Sequence, residues 1–299
     1  MKLVRGGTVW ISGPVELGPE RRQGAVEQAG AAPLERYPGR FEEDVDILID
    51  GKRIAEVGRG IYDRLEAEGK ASAVEVIDAS GKLVIPGFVN AHTHAAMTLL
   101  RSYADDFPLH TWLTEKIWPV EGRLTGEDVY WGTMLAIVEM MRAGVTTFAD
   151  MYFFMDHVAR AVAETGARAV IAPGMFDHMG DWRDQIAEVR QLAEKWHGGA
   201  GGRIRVMFGP HAPYSALGGF KPVAQAAREL GLRVHVHLSE TRKEVEDCVR
   251  AHGVTPVVLA EREGLFEAPV LAAHCVHVTL EEMEIMARRR VAEIGRAHV

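Results

Sequence analysis

The chain contains 299 residues, with 34 Lys and Arg against 42 Asp and Glu, so its formal net charge at pH 7 is −8. A composition of 47% hydrophobic and 25% charged residues is typical of a soluble globular protein and excludes a disordered one. The acidic excess argues against nucleic acid as a partner, because phosphate binding requires a basic surface. No apolar run approaches the roughly 18–20 residues of a membrane helix, and no signal peptide is visible. With only two cysteines, the sequence predicts a reduced, cytoplasmic protein without a membrane partner.

The first 85 residues carry short β-like runs, at 3–11, 45–51, 53–58 and 74–87. A stretch at 13–44 is rich in Gly, Pro, Glu and Arg and shows no periodicity, which is typical of a solvated surface loop. We therefore predict that residues 1–82 form the N-terminal part of a β-sandwich, with an insertion loop at about 13–44.

From residue 83 onward, apolar strand-like runs alternate with helical patterns. The predicted strands lie at 83–91, 145–150, 167–174, 203–210, 232–239 and 270–276. The clearest helix runs from Thr125 as N-cap to Gly144 as the stop signal. Further helices are predicted to start near Asp156, Asp181, Lys221, Ser239 and Thr279. This alternation predicts an α/β fold with a parallel sheet, and functional residues at strand ends favour a (β/α)8 TIM-type barrel.

The length of this region does not suffice for a complete barrel. Eight strand–helix units take about 250 residues, whereas residues 83–299 provide six strands and at most the beginning of a seventh. We predict an incomplete barrel at 83–290, truncated after about six strands, and a tail at 291–299 that does not belong to it. An unpaired parallel-sheet edge would then be exposed, which predicts poor solubility or inactivity.

Histidines at the predicted strand ends are the most informative feature of the sequence. Two H-x-H pairs end the first and fifth barrel strands, and single histidines end or follow the sixth and fourth. These residues are His92, His94, His235, His237, His274 and His211. Residues i and i+2 of a strand point to the same side, so such a pair can reach one metal ion. One buried His is more often a hydrogen-bonded core residue, but the joint pattern at the active-site face of a barrel favours a metal site. The seven other histidines are predicted to be surface or structural.

The sequence lacks the motifs of several other metal sites and of a serine nucleophile. The sequence has no H-E-x-x-H zinc-protease helix, no P-C-x-x-C of small cytidine deaminases and no G-x-S-x-G nucleophile elbow. A two-metal barrel hydrolase often needs a bridging carbamylated lysine on a middle strand. No lysine lies between Lys116 and Lys195, so one metal ion is favoured over two.

Five motifs in order resemble the amidohydrolase superfamily, and within it the deaminases that act on 5′-methylthioadenosine and S-adenosylhomocysteine. They are PGFVNAHTHAAMTLLRSYADD, EKIWPVE, GPHAPY, HVHLSET and LAAHCVHV, and the similarity runs from about residue 45 to 290. The resemblance implies a metal-dependent hydrolytic deaminase that converts adenosine-type nucleosides to the inosine analogue and ammonia. It implies one zinc ion per subunit, with iron as the alternative, and a small-molecule purine nucleoside as substrate. A homo-oligomer is expected because such barrels are often oligomeric.

The same resemblance assigns roles residue by residue. It makes His92, His94 and His237 metal ligands and makes Glu240, three residues after the last of them, the proton-shuttling glutamate. His274 matches the histidine that orients the attacking water.

The resemblance also implies a set of substrate-binding residues. His211 matches a histidine that contacts the substrate, and Glu121 matches a carboxylate that binds the ribose hydroxyls. Arg183 corresponds more loosely to an arginine at the far end of the substrate, and a helix-surface position is equally compatible with it. Trp112 falls in a lid-like stretch at 103–121, where lid contact and simple packing are both open.

Two alternatives remain at this point. The H-x-H and HLSE motifs also fit guanine deaminases and chlorotriazine hydrolases, although Glu121 and His211 favour a ribosyl purine. The family pattern further has an aspartate at the end of strand eight, and the sequence stops before that strand. We therefore expect the natural enzyme to be longer than this sequence. If the natural enzyme is not longer, the chain is expected to be an inactive remnant that at most binds a metal ion.

Overall fold

The computed structural model describes residues 1–12 and 39–295, and the chain divides into two compact units, Met1–Pro86 and Gly87–Val299. The insertion loop predicted at about 13–44 lies outside the described residues up to residue 38, and a strand already begins at Arg40. Residues 296–299 of the predicted tail also lie outside them.

The first unit is built on a mixed sheet of five strands. They are β1 (Lys2–Ile11), β2 (Arg40–Asp50), β3 (Arg53–Gly58), β4 (Glu75–Asp78) and β5 (Leu83–Val84). The order is β3-β2-β1-β4, and β5 also pairs with β1. Pairs β1–β2 and β2–β3 are antiparallel, whereas β4 and β5 run parallel to β1. This mixed sheet lies in the residues predicted as the N-terminal part of a β-sandwich, and the sandwich itself stays a prediction.

A short helix, α1 (Ile61–Ala67), covers part of this sheet and was not predicted. It offers only two buried apolar residues, Ile61 and Leu65, which pack with Leu3 and Leu48 of the sheet. Such a short amphipathic segment leaves too little periodicity to be recognised in the sequence.

The second unit contains a parallel sheet of seven strands. They are β6 (Phe88–Thr93), β7 (Val145–Tyr152), β8 (Arg168–Met175), β9 (Ile204–Pro210), β10 (Arg233–Leu238), β11 (Val270–His274) and β12 (Ala292–Ile294). The strands follow one another in chain order from β6 to β12. The sheet is a nearly closed barrel, which confirms the predicted fold class.

Two details of this sheet differ from the sequence-based strand limits. The run predicted as one strand at 83–91 is divided between the two sheets, since β5 precedes Pro86 and β6 follows it. Proline has no N–H to give to a strand ladder, which accounts for the break. The predicted tail contains the seventh strand, because β12 pairs in parallel with β11. Within the described ranges β6 pairs only with β7 and β12 only with β11, so the sheet has two unpaired edges.

Helices connect the strands. Their bounds are α2 (Leu109–Thr111), α3 (Trp118–Glu121), α4 (Gly126–Arg142), α5 (Met155–Thr165), α6 (Trp182–Trp196), α7 (Gly199–Gly202), α8 (Pro213–Ala216), α9 (Phe220–Leu230), α10 (Arg242–His252), α11 (Pro256–Arg262) and α12 (Leu280–Arg289). Helical turns lie at Ala71–Ala73, Ala95–Leu100, Trp112–Ile117, Asp177–Met179, Leu217–Gly219 and Leu265–Glu267. Among the described residues, no helix combines the length and apolarity needed to cross a membrane.

The predicted helix starts are confirmed for α4, α5, α6, α9 and α12, and α4 has the expected cap at Thr125. Helix α10 begins at Arg242 rather than near Ser239, because Ser239 has a φ of 51° that a helix cannot contain. Helix α11 was not predicted.

The main hydrophobic core surrounds the parallel sheet. Strand residues Ile171, Phe208 and Val236 are fully buried and pack in one cluster with Val158 and Phe220 of the covering helices. Because the core residues occupy the strand interiors, polar side chains collect where the strands end, which is where the candidate site lies.

Candidate metal and catalytic site

Three histidines meet at the carboxyl ends of β6 and β10. His92 lies near the end of β6, His94 follows that strand, and His237 lies near the end of β10. One ligand atom from each lies within 4.8 Å of the others, and His92 and His237 are buried. The structure thus brings together the three residues predicted as metal ligands, which come from two strands, β6 and β10, that have three other strands between them in the sheet.

The Nδ1 atom of each of these histidines is held by a fixed partner. His94 Nδ1 donates to the Met151 carbonyl at 2.6 Å, and His237 Nδ1 donates to the His211 carbonyl at 2.7 Å. A carbonyl oxygen only accepts, so in both rings Nδ1 carries the hydrogen and Nε2 presents its lone pair. Partners of this kind orient metal-ligating histidines in known metal sites.

His92 has a different partner, the fully buried ring of His235. His92 Nδ1 and His235 Nε2 are 2.9 Å apart. Burial lowers the pKa of His235 to about 3, with further lowering from His94 and His274, so this ring is neutral and its Nε2 can accept. His235 thus holds a metal-ligand candidate rather than serving as one of the clustered ligands. The sequence placed it in an H-x-H pair but did not assign it this task.

This donor set fits a divalent metal. Burial, followed by the neighbouring histidines, keeps the pKa of His237 well below its usual value, and the neutral ring is the ligand form. His237 Nε2 is buried and has no hydrogen-bond partner among the described residues, although a buried nitrogen normally has one. Three imidazole nitrogens suit zinc, iron, copper or nickel better than magnesium or calcium.

The predicted catalytic pair lies beside the three histidines. Glu240 Oε2 is 3.6 Å from His274 Nε2, and both side chains are buried. The rings of His274 and His92 have centroids 4.9 Å apart. Ser239 and His274 both have positive φ angles, 51° and 78°, which cost energy in residues other than glycine and often mark functional sites. A buried carboxylate beside a buried imidazole can move protons in a space that excludes bulk water.

Two buried carboxylates that the sequence analysis missed support the backbone of this site. Asp150, at the end of β7, accepts the Ala95 N–H at 2.7 Å, directly after His94. Burial raises the pKa of Asp150 to about 7, and the Ala95 hydrogen bond opposes this effect. Glu244 accepts the amide hydrogens of Ser239 and Glu240, and burial raises its pKa to about 7 as well. The position of Asp150 at a strand end was a usable signal, because barrel site residues lie there.

A small pocket of about 60 Å³ opens beside His94 and is mostly apolar. It is lined by His94, Met97, Trp112, Leu113, Ile117, Trp118, Glu121, Met151, Tyr152, Phe153, Gly174, Phe176 and His211. Three of the predicted substrate-binding residues, Trp112, Glu121 and His211, are therefore brought together. Phe176 stacks on His211 with centroids 4.6 Å apart, which fixes the plane of that ring.

Glu121 is the one carboxylate in the lining of this pocket. It accepts a hydrogen bond of 2.6 Å from the Tyr152 hydroxyl. Burial raises the pKa of Glu121, and the Tyr152 hydrogen bond partly offsets that rise. A carboxylate oriented in this way can accept hydroxyl groups of a ligand. Tyr152 was not predicted, although it ends strand β7.

The structure does not bring Arg183 to this pocket. Its side chain is 91% exposed in the first turn of α6 and pairs with Asp181 at 3.5 Å. Its predicted substrate contact stays a prediction without support from this geometry.

Comparison with known proteins places these features in a family. The family model for amidohydrolases matches residues 83–298, which include all of the site residues described above. The chain is 50% identical over 264 residues to a 5-methylthioadenosine/S-adenosylhomocysteine deaminase of Pelotomaculum thermopropionicum, a match that covers 87% of the chain and 59% of that protein. The corresponding protein of Desulforudis audaxviator is 52% identical over 231 residues, 77% of the chain and 53% of the relative. The chain thus spans between half and three fifths of the length of these curated relatives.

Solved structures agree with this assignment. A zinc-bound adenosine deaminase from Xanthomonas campestris is 30% identical with a TM-score of 0.75, over 98% of this chain and 62% of that one. A guanine deaminase from C. acetobutylicum, 17% identical with a TM-score of 0.80 over 98% of this chain and 67% of that one, shares the fold. With the family model matching most of its length, the chain belongs to the amidohydrolase family.

Proposed function

We propose that this site performs the hydrolytic deamination of adenosine-type nucleosides, with 5′-methylthioadenosine and S-adenosylhomocysteine as the preferred class. The observation that carries the proposal is the buried pair of Glu240 and His274, 3.6 Å apart, beside the three-histidine cluster. Relatives about half identical to the chain carry the name of this activity. Because the chain spans only part of their length, the proposal concerns the site as a component of the whole enzyme.

His92, His94 and His237 would hold one divalent metal ion through their Nε2 atoms, and we propose zinc. Such an ion, when bound, supplies the Lewis acidity that makes water nucleophilic at neutral pH. The Nδ1 partners of the three rings keep the Nε2 lone pairs directed to one place, so little reorganisation is needed on binding.

Glu240 is the proton carrier in this proposal. Water adds to C6 of the purine, the bond between C6 and the amino nitrogen breaks, and the products are the inosine analogue and ammonia. The Glu240 carboxylate carries one proton to a ring nitrogen and a second to the departing amine. Both protons come from the attacking water, the second by way of the hydroxyl group that the water forms on C6. His274, close to that carboxylate, orients the attacking water. General acid–base steps of this kind contribute about 10²–10⁴-fold in rate.

In this proposal the nucleoside binds against the pocket beside His94. Glu121 would accept the ribose hydroxyls, His211 would contact the base, and Trp112 would cover an apolar part of the substrate. The apolar lining favours contact with the thioether sulfur and the carbon atoms bonded to it. Both cysteines are buried free thiols, which supports a reducing, cytoplasmic location.

The test uses the purified, zinc-loaded whole enzyme that contains this site. It measures ammonia release from 5′-methylthioadenosine, S-adenosylhomocysteine, adenosine and guanine, and chloride release from a chlorotriazine. We expect turnover of the thioether nucleosides and its loss in Glu240→Gln. The matched control is Glu246→Gln, an exposed glutamate on α10, which should retain activity. Ammonia from guanine alone, chloride release from a chlorotriazine alone, or zinc binding without any turnover would each contradict the proposal.

A further inference from the structure

Three helices of the second unit begin with the same sequence pattern, a threonine N-cap followed three residues later by an acidic residue. In α4 and α12 this pattern forms a complete capping box. The Asp128 carboxylate accepts a hydrogen bond of 2.8 Å from the Thr125 amide, and the Glu282 carboxylate accepts one of 2.8 Å from the Thr279 amide. The acidic residue in both helices therefore serves the helix itself.

Helix α10 has the same pattern with a different outcome. Thr241 Oγ1 accepts the Glu244 amide at 3.1 Å, as expected of an N-cap. The Glu244 carboxylate, however, reaches past the cap to the two preceding residues. Its Oε1 accepts the Ser239 amide at 2.9 Å and its Oε2 accepts the Glu240 amide at 2.8 Å.

The local backbone explains why one carboxylate can hold both amides. Ser239 has a φ of 51°, and a left-handed residue makes successive N–H groups point to the same side, forming a concave anion site. Ser239 is fully buried, and Glu240 and Glu244 are nearly so. Without Glu244, two buried amide donors would lose the carboxyl group that accepts both of them, which is unfavourable for this conformation.

We propose that Glu244 is a positioning residue that clamps the turn carrying Glu240 and thereby directs the Glu240 carboxylate at His274. The inference rests on the proposed role of Glu240 as the proton carrier. The Glu240 side chain starts from the residue whose amide is clamped, so release of the turn would displace its carboxylate relative to the substrate. Misplacement of a catalytic group by about 1 Å lowers the rate by roughly 100-fold.

The experiment compares Glu244→Ala and Glu244→Gln with Glu282→Gln as the matched control. Glu282 has the same residue type, position in its helix and burial, but it only completes a capping box. For each zinc-loaded whole enzyme with one of these substitutions we would measure kcat and KM with 5′-methylthioadenosine, the melting temperature, and amide hydrogen exchange across residues 239–240.

We expect Glu244→Ala to lower kcat about 100-fold with KM changed less than about threefold. Glu244→Gln retains one acceptor oxygen, so its kcat should fall roughly tenfold. This variant decides the test if the alanine variant does not fold. Exchange at 239–240 should accelerate at least about tenfold in Glu244→Ala. Glu282→Gln should lower the melting temperature with kcat within about twofold of the parent.

Two results would overturn the inference. One is a fall in kcat in the Glu244 variants no larger than that in Glu282→Gln. The other is unchanged exchange at 239–240 in both Glu244 variants. If the parent enzyme shows no deamination at all, the proposed function fails by itself, while the exchange measurement still decides whether Glu244 holds the turn.

Discussion

Replacement of His235 by leucine should weaken zinc binding although His235 is not one of the three clustered ligands. The His92 Nδ1–His235 Nε2 contact of 2.9 Å is the buried hydrogen bond that fixes which nitrogen of His92 faces the cluster. Leucine removes the acceptor and leaves the His92 N–H without a hydrogen bond on that side. The free-energy cost of such a buried unsatisfied donor is about 1–3 kcal/mol. Since 1.4 kcal/mol corresponds to about a tenfold change in affinity, the dissociation constant for zinc should rise about 10- to 100-fold.

The assay is competition for zinc with a chromophoric chelator, for the parent, His235→Leu and His235→Asn. The asparagine side chain offers a carbonyl oxygen as acceptor and should restore most of the affinity. His252→Gln, an exposed change at the end of α10, is the control for general effects of losing a histidine. The melting temperatures of the metal-free proteins show whether a substitution disturbs packing, so that such a defect is not mistaken for a change in the orientation of His92. Equal zinc affinity in the leucine variant and the parent would refute the reasoning, as would equal losses in the leucine and asparagine variants.

Three further predictions address catalysis, thiol chemistry and the core. Glu240→Gln should lower kcat for 5′-methylthioadenosine about 10²–10⁴-fold while zinc affinity, measured by the same competition, stays within about threefold. Burial raises the pKa of Cys248 to about 11 and that of Cys275 to about 12, with neighbouring glutamates adding to both. At pH 8 both are protonated in the native protein, so a disulfide reagent such as Ellman's should react slowly until a denaturant is added; rapid native reaction of both thiols would contradict this. Phe208→Ala should lower the free energy of unfolding by about 3–5 kcal/mol in urea titrations, because the ring is fully buried in the main core.

The parts of the site that the sequence predicted are those set by strand periodicity. His92 and His94 are two residues apart at the end of an apolar run, and a period of two places both on one side of the chain. The structure brings them to one cluster with His237, as that argument requires. The helix caps at Thr125 and Thr279 were equally predictable, because a capping box is a contact between residues three positions apart.

The parts that were missed depend on contacts that sequence spacing does not specify. Asp150 is 55 positions from Ala95, and only the pairing of β6 with β7 brings them together. Glu244 carries the signature of an ordinary capping box, and its diversion to the site depends on the left-handed turn at Ser239. A turn in which a residue other than glycine has a positive φ leaves little trace in composition. His235 was visible as half of a pair, but its task depends on the tautomer of a ring on another strand.

The distances within the histidine cluster measure how far the sheet has closed. In the order from β6 to β12, four strands lie between β6, which carries His92, and β11, which carries His274. Strands are about 4.8 Å apart, so a flat sheet would separate these two strands by roughly 24 Å. The observed ring centroids are 4.9 Å apart. Curvature of the seven strands, together with inward-pointing side chains, therefore assembles the cluster within residues 87–295. The three-histidine cluster is therefore in place although β6 and β12 each pair with one strand only within the described residues.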